Sequence, residues 1–264
     1  MLQLAALGLL VALAVALPVW ALSLPLRDAS LADRVWSLLI AAPAFAYALA
    51  GTAPLDVRSV LMLVLLAAWG LRLALYISLR NRGHGEDRRY RAMRDRHGPH
   101  FGLKSLYLVF GLQAVLAWVA GWPLLAALTH PAPLGLLDGA GALIALAGIT
   151  LEAVADAQLA RFLRAPRREG TVMDRGLWAW SRHPNYFGEA CVWWGLGLMA
   201  LSAGGLGVAW SLASPLMMTL LLLKVSGVAL LEQDIADRRP AYRDYAARTS
   251  AFIPWPPRRQ RPQP

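Results

Sequence analysis

The sequence is short of most things a soluble enzyme uses. It has one cysteine, Cys191, in 264 residues, which excludes an intrachain disulfide and any cysteine-rich metal site. Only 16% of its residues are charged, where soluble domains run near a quarter. No lysine or arginine precedes Arg27, and the first apolar run is too long for a cleavable leader. No glutamate precedes Glu86, and among 26 basic residues only Lys104 and Lys224 are lysine. Strand-like alternation, internal repeats and long linkers are also missing. In their place is apolar sequence, with 58% hydrophobic residues and a mean hydropathy of +0.46.

That apolar excess comes in blocks. Seven stretches approach the roughly 20 residues that cross a bilayer: 2–24, 35–53, 58–79, 104–128, 134–156, 187–204 and 207–231. The block 187–204, shortest and Gly-rich, also fits a helix buried in protein. A net charge of +10 raises nucleic acid as a partner, but 21 of the 26 basic residues fall in 80–104, 156–186 and 232–264. Seven spans put all three segments on one face, and the positive-inside rule makes that face cytoplasmic. Six or eight spans would split them. The expected fold is all-α, a single membrane domain over 1–257 with its amino terminus outside, ending in a disordered basic tail, 258–264. In the loop 80–104 the arginines alternate with Glu86, Asp87 and Asp95, which argues against nucleic acid.

Charges inside hydrocarbon cost a few kcal/mol or more, so they face protein or a wet cavity. Arg72, Tyr76 and Arg80 share one helical face at i, i+4, i+8, with Asn81 and Arg82 just beyond. Glu152 and Asp156 are one turn apart, with Arg161 and Arg164 following, and Asn185 and Glu189 are spaced the same way. Lys224, Glu232 and Asp234 mark the last span. Interhelical ion pairs and snorkelling explain any one of these; a polar cavity open to the cytoplasm accounts for the set.

The strongest local signal is Ser181-Arg182-His183-Pro184-Asn185-Tyr186-Phe187-Gly188-Glu189. Pro184 suits the first position of a helix, where its missing N–H costs nothing. The free N–H groups of such a start, beside Arg182 and His183, suit an anion. Asn185 and Glu189 lie one turn deeper on the same face, placed for amide or hydroxyl groups.

With these residues in place, the chain resembles the steroid 5-alpha-reductase superfamily, and within it the bacterial DUF1295 branch of membrane proteins. The resemblance covers roughly 65–257 and rests on RNRGHGEDRRY (80–90), DRGLWAWSRHPNYFGE (174–189) and YRDYAARTSAFIPWPP (242–257). It implies seven helices, a bacterial inner-membrane location and NADPH bound from the cytoplasmic side. Asn185 and Glu189 resemble the family's N-x-x-G-E cofactor signature, with Tyr186, Arg182 and His183 in the same motif. Arg161 and Arg164 are similar to the arginines of its L-R-x-P segment, and Asp156 to an upstream cofactor-binding Asp at a spacing one residue different. Asn81 and Arg82 match its N-R-G. Several arginines suit a 2′-phosphate and a pyrophosphate.

The resemblance also exposes a departure. Steroid reductases hold and protonate the substrate carbonyl with a Glu in the second span and a Tyr in the third. Here no Glu precedes Glu86, and the tyrosine position falls on Gly70. Hydride transfer to a lipophilic enone- or steroid-like substrate still needs an acid or oxyanion binder. Arg72 and Tyr76 are the candidates by position, and a buried ion pair with packing against lipid fits them equally.

Two other classes stay open. Arg182-His183-Pro184 with Tyr186 also fits the isoprenylcysteine carboxyl methyltransferases, which bind S-adenosylmethionine, although their Glu-Glu pair reads Glu232-Gln233 here. A non-catalytic membrane protein binding lipid or sterol accounts for the missing Glu and Tyr. Among weaker signals, His84, His97 and His100 read as a solvated basic loop without the ligand geometry of a metal site. Gly195-x-Gly197 follows no strand and reads as helix packing, and Cys191 as inert. The expected partners are a lipophilic substrate and membrane lipid; the oligomeric state is open.

Overall fold

The structure is a computed structural model that describes residues 1–51, 54–83, 85–166, 170–225, 227–232, 235 and 239–258. His84 of the basic loop, Arg167 and Arg168, Gln233, Asp234 and residues 259–264 of the basic tail lie outside the described residues. Among the described residues the chain is helical throughout, with no strand beyond one bridge, Ser181 to Ser250.

Five helical runs are long and apolar enough to cross a membrane: Leu2–Leu26, Val57–Arg80, Arg88–Thr129, Leu136–Arg164 and Pro184–Val225. Trp36–Ala50 is apolar but shorter, at 15 residues. The difference from seven comes from Trp36–Ala50 and from the last run, Pro184–Val225, which holds two of the expected stretches. That run changes character at Gly205, whose φ of 56° falls where the sequence puts a connection and where glycine is favoured. Leucines such as Leu2, Leu49, Leu136 and Leu206 are more than 80% exposed. An apolar exterior of this kind suits lipid and would drive association in water.

The helix ends follow from local chemistry. Asp56 caps Val57–Arg80 by accepting from the Ser59 amide at 2.8 Å, and Asp87 caps Arg88–His97 by accepting from Arg89 at 2.9 Å. Pro18, Pro25 and Pro43 sit inside helices, a placement that apolar membrane helices tolerate.

Two compact units result: Met1–Ala142 with Leu196–Ser214, and Leu143–Gly195 with Pro215–Pro264. In the first, Leu2–Leu26 packs against Trp36–Ala50, with Gly8 directly beneath the buried ring of Tyr47. Trp69, Ile40 and Phe110 are fully buried in the same unit.

Polar residues gather at two places in this unit. At one, Ala29 donates to Glu86 at 2.8 Å, Asp87 to Ser30 at 2.6 Å and Tyr90 to Asp33 at 2.7 Å. At the other, Arg58 is fully buried. Its guanidinium forks onto Asp138 at 2.6 and 2.8 Å and donates to the carbonyls of Ala132 (3.1 Å) and Pro133 (2.8 Å). Ser202 completes the group, donating to Asp138 at 2.6 Å.

Candidate functional site

The second unit contains a close helix crossing. A Cβ on Gly188 would stand 2.7 Å from the Gly148 carbonyl oxygen and 2.9 Å from the Glu152 amide nitrogen. A Cβ on Gly148 would stand 2.5 Å from the Gly188 carbonyl. Only glycine lets these backbones touch. The crossing brings Asp156 of Leu136–Arg164 against Asn185 of Pro184–Gly204, where Asn185 Nδ2 donates to Asp156 Oδ1 at 3.2 Å. Glu152, Asp156 and Glu189 are 2%, 4% and 8% exposed. Asn185 Oδ1 is buried and, among the described residues, accepts no hydrogen bond. The crossing thus collects three buried carboxyls and an open carboxamide acceptor in helices of membrane-spanning length. Groups so costly there make this crossing the candidate site.

The stretch before this helix is folded against the carboxyl-terminal segment. Pro184 is its first residue, and Ser181 Oγ accepts from the His183 amide at 3.1 Å. Ser181 Oγ in turn donates to the Phe252 carbonyl at 2.7 Å, and the Arg182 amide donates to Ser250 at 2.8 Å. The Arg182 side chain, an anion ligand on the sequence reading, is directed elsewhere. Its Nε and Nη2 reach the two oxygens of Glu232 at 2.7 and 2.8 Å, and Nη1 donates to the carbonyls of Ala246 and Thr249. His183 Nε2 lies 2.8 Å from Glu232 Oε1, and Tyr242 donates to the same oxygen at 2.9 Å. The His183 ring stacks on Tyr186 at 5.4 Å between centroids.

Burial opposes ionisation of Glu232, but hydrogen bonds from His183, Arg182 and Tyr242 outweigh it and hold the carboxyl at about 2, against an ordinary 4.5. Burial, and then the Glu232 charge, push the Tyr242 phenol up. Because the folded carboxyl is the stronger acid, its contribution is complete above about pH 4.5 and is lost as pH falls toward 2. That contribution is on the order of 3 kcal/mol. Thermal unfolding of the wild type should therefore weaken more between about pH 5 and pH 3 than that of Glu232→Gln, which starts less stable. Equal acid sensitivity of the two proteins would show that Glu232 is not held as described.

The remaining site residues divide between the units. Arg161 and Arg164 are exposed in the last turn of Leu136–Arg164, where cations complement the helix dipole. Arg72, Tyr76, Asn81 and Arg82 belong to the first unit. There Arg80 lies 5.6 Å from the centre of the Tyr76 ring and donates to Asn81 Oδ1 at 3.2 Å. Arg72 and Tyr76 are half-buried, and Arg82 is exposed. At Gly70, where the resemblance expects tyrosine, Ser37 Oγ donates to the carbonyl at 2.9 Å and its Cβ lies 3.6 Å from where a Gly70 Cβ would be. Ser37 thus occupies the space beside Gly70.

Sequence reasoning gave no role to Tyr242, nor to the pair Arg58 and Asp138. The pair lies 80 residues apart in sequence. The available signal was that both sit at predicted span ends on the same face.

No curated protein and no solved structure matches the chain. A family model does, over residues 19–249. The chain belongs to that family, DUF1295, described as a protein of unknown function.

Proposed function

We propose that this protein is an NADPH-dependent reductase of a bacterial inner membrane, transferring hydride to the C=C bond of a lipophilic enone- or steroid-like substrate. The observation that carries the reading is the buried crossing of Asp156 and Asn185, with Asn185 Oδ1 open. A carboxamide acceptor held by a carboxylate, with buried Glu152 and Glu189 near it in the two helices, fits the amide and hydroxyl donors of a dinucleotide. In this role Asp156 orients Asn185, Asn185 Oδ1 accepts an N–H, and the glutamates accept hydroxyls. Arg161 and Arg164, exposed at the end of the same helix, fit phosphates, and Asn81 and Arg82 are assigned to the same cofactor by motif. Arg182 and His183 position the helix start through Glu232, with Tyr186 stacked on His183.

Bound NADPH would supply the hydride. The chain must then stabilise the developing enolate oxygen, a task assigned to the Arg72 guanidinium or the Tyr76 phenol. Gly70, packed beside Ser37, offers no acid there. The missing acid at Gly70 favours the second reading, a lipid-binding protein that has lost its chemistry.

The topology proposed is seven spans with the cofactor side cytoplasmic. Residues 28–34 meet 86–90, and Arg58 meets 132–138 and Ser202. Seven spans put the members of each group at the same membrane face, which supports the count.

Affinity measured in detergent micelles tests the proposal. NADPH should bind about tenfold or more tightly than NADH, and Arg161→Gln with Arg164→Gln should erase that preference. Asn185→Ala should weaken both dinucleotides by about tenfold. Binding of S-adenosylmethionine in place of either would replace the reading with a methyltransferase.

A further inference from the structure

The first unit holds a cavity unrelated to the crossing just described. It has a volume of about 490 Å³, within the range of small-ligand sites, and lies between the end of Leu2–Leu26 and the segment 94–105. A 25-residue helix is about 37 Å long, enough to cross the hydrocarbon. In the topology proposed above, its carboxyl-terminal cap, Arg27, falls at the level of lipid headgroups. Trp20, about two turns back, donates to the Gly102 carbonyl at 3.0 Å and fixes the helix against the cavity wall.

The lining has a particular balance of charge. Arg27 is exposed and is the one non-glycine with a positive φ among the described residues, at 48°. That conformation ends the helix, with the Arg27 amide donating to the Leu24 carbonyl at 3.2 Å, and it directs the chain on from the cavity edge. Arg94 is fixed rather than mobile. Its Nε and Nη2 hold Glu86 at 2.9 and 2.7 Å, and its guanidinium carbon lies 4.7 Å from the Phe101 ring centre. Its Nη1 takes no part in the pairing with Glu86. Against these cations the lining carries Asp95 and the oxygens of Ser23 and Ser105. Each serine spends its hydrogen on a carbonyl of its own helix, Trp20 and Gly102 respectively, so each presents an acceptor. No aromatic ring lines the cavity.

We infer that this cavity binds the headgroup of a zwitterionic phospholipid bearing a primary ammonium, a phosphoethanolamine. Arg27 and the Nη1 of Arg94 take the phosphate, and Asp95 with the two serine oxygens takes the ammonium. A quaternary ammonium has no N–H for those acceptors and is held by aromatic cages, which this lining lacks. A purely anionic headgroup leaves Asp95 opposed to its charge. The inference rests on the first unit alone and is independent of the reductase reading.

Native mass spectrometry of the full chain, released from detergent with added short-chain lipid, tests it. Phosphatidylethanolamine should be retained about tenfold more than phosphatidylcholine or phosphatidylglycerol. Asp95→Asn should bring it down to the phosphatidylcholine level. Arg27→Gly should do the same while preserving the fold, since glycine adopts the Arg27 backbone without strain. An unchanged thermal midpoint in that variant separates lost binding from misfolding. Equal retention of the three lipids, or full retention by Arg27→Gly, would overturn the assignment. So would displacement of phosphatidylethanolamine by millimolar inorganic phosphate, which would make the ligand a free anion.

Discussion

Asp138→Ala should be among the most destabilising single substitutions in this chain, costing about 3–5 kcal/mol. The change leaves the Arg58 guanidinium, fully buried, with two backbone carbonyls, Ser202 Oγ at 3.4 Å and, as counter-charge, only the longer contact to Asp56 at 3.8 Å. It also strips Ser202 of its acceptor and the Gly135 amide of its own. The apparent Tm in detergent should fall by on the order of 10 °C. Replacing both charges, as Arg58→Met with Asp138→Leu, should cost less than Asp138→Ala alone, because the fully buried guanidinium is removed together with its closest partner and only the part-exposed Asp56 loses a contact. If the single variant unfolds within a degree or two of wild type, Arg58 is reached by water and the buried pair is not as described.

Gly188→Leu should be comparably severe, and for a different reason. The Cβ alone meets the Gly148 carbonyl oxygen at 2.7 Å and the Glu152 amide nitrogen at 2.9 Å. These are backbone atoms that cannot rotate away. Overpacking of side chains costs about 1–3 kcal/mol; here two helices must separate, so the upper end applies. Separation pulls Asn185 from Asp156, so dinucleotide binding should fall with stability. Gly188→Ala should show both effects in milder form. A glycine without such contact, Gly207 of the first unit, has nothing within 4 Å of its Cβ position, and Gly207→Ala serves as the control. Equal behaviour of Gly188→Leu and the control would remove the crossing from the account.

Elements whose cause is local were legible in the sequence. Pro184 was marked as a helix start and is one. The stretch 58–79 matches Val57–Arg80 to within a residue at each end, because charge bounds the apolar run there, whereas 134–156 marks the start of Leu136–Arg164 but stops eight residues short of its end. At 205–206, where the sequence suggests a connection, the described helical run continues, with only the positive φ of Gly205 marking the place.

What escaped depends on residues far apart. The helix Arg88–His97 is strongly polar and carries no apolar period. It is held by Asp33, which accepts from Arg89 and Tyr90 across more than 50 residues, so its joining to the following span could not be read from composition. Arg182 and His183 looked like anion ligands because their local setting, a helix start, attracts anions. Glu232, the anion they actually hold, lies 50 residues on. The same limit hid Arg58 and Asp138. By contrast Asn185, Asp156 and Glu189 were picked out by cost: polar groups deep in apolar helices demand a reason wherever their partners lie.

The central claim is that the buried crossing of Asp156 and Asn185 serves a nicotinamide dinucleotide. Isothermal titration of NADPH into the purified, detergent-solubilised full chain tests it most directly. The account predicts saturable one-to-one binding, weakened about tenfold in Asn185→Ala while that variant still unfolds cooperatively. Absence of NADPH binding by a wild-type protein with a cooperative unfolding transition would contradict it.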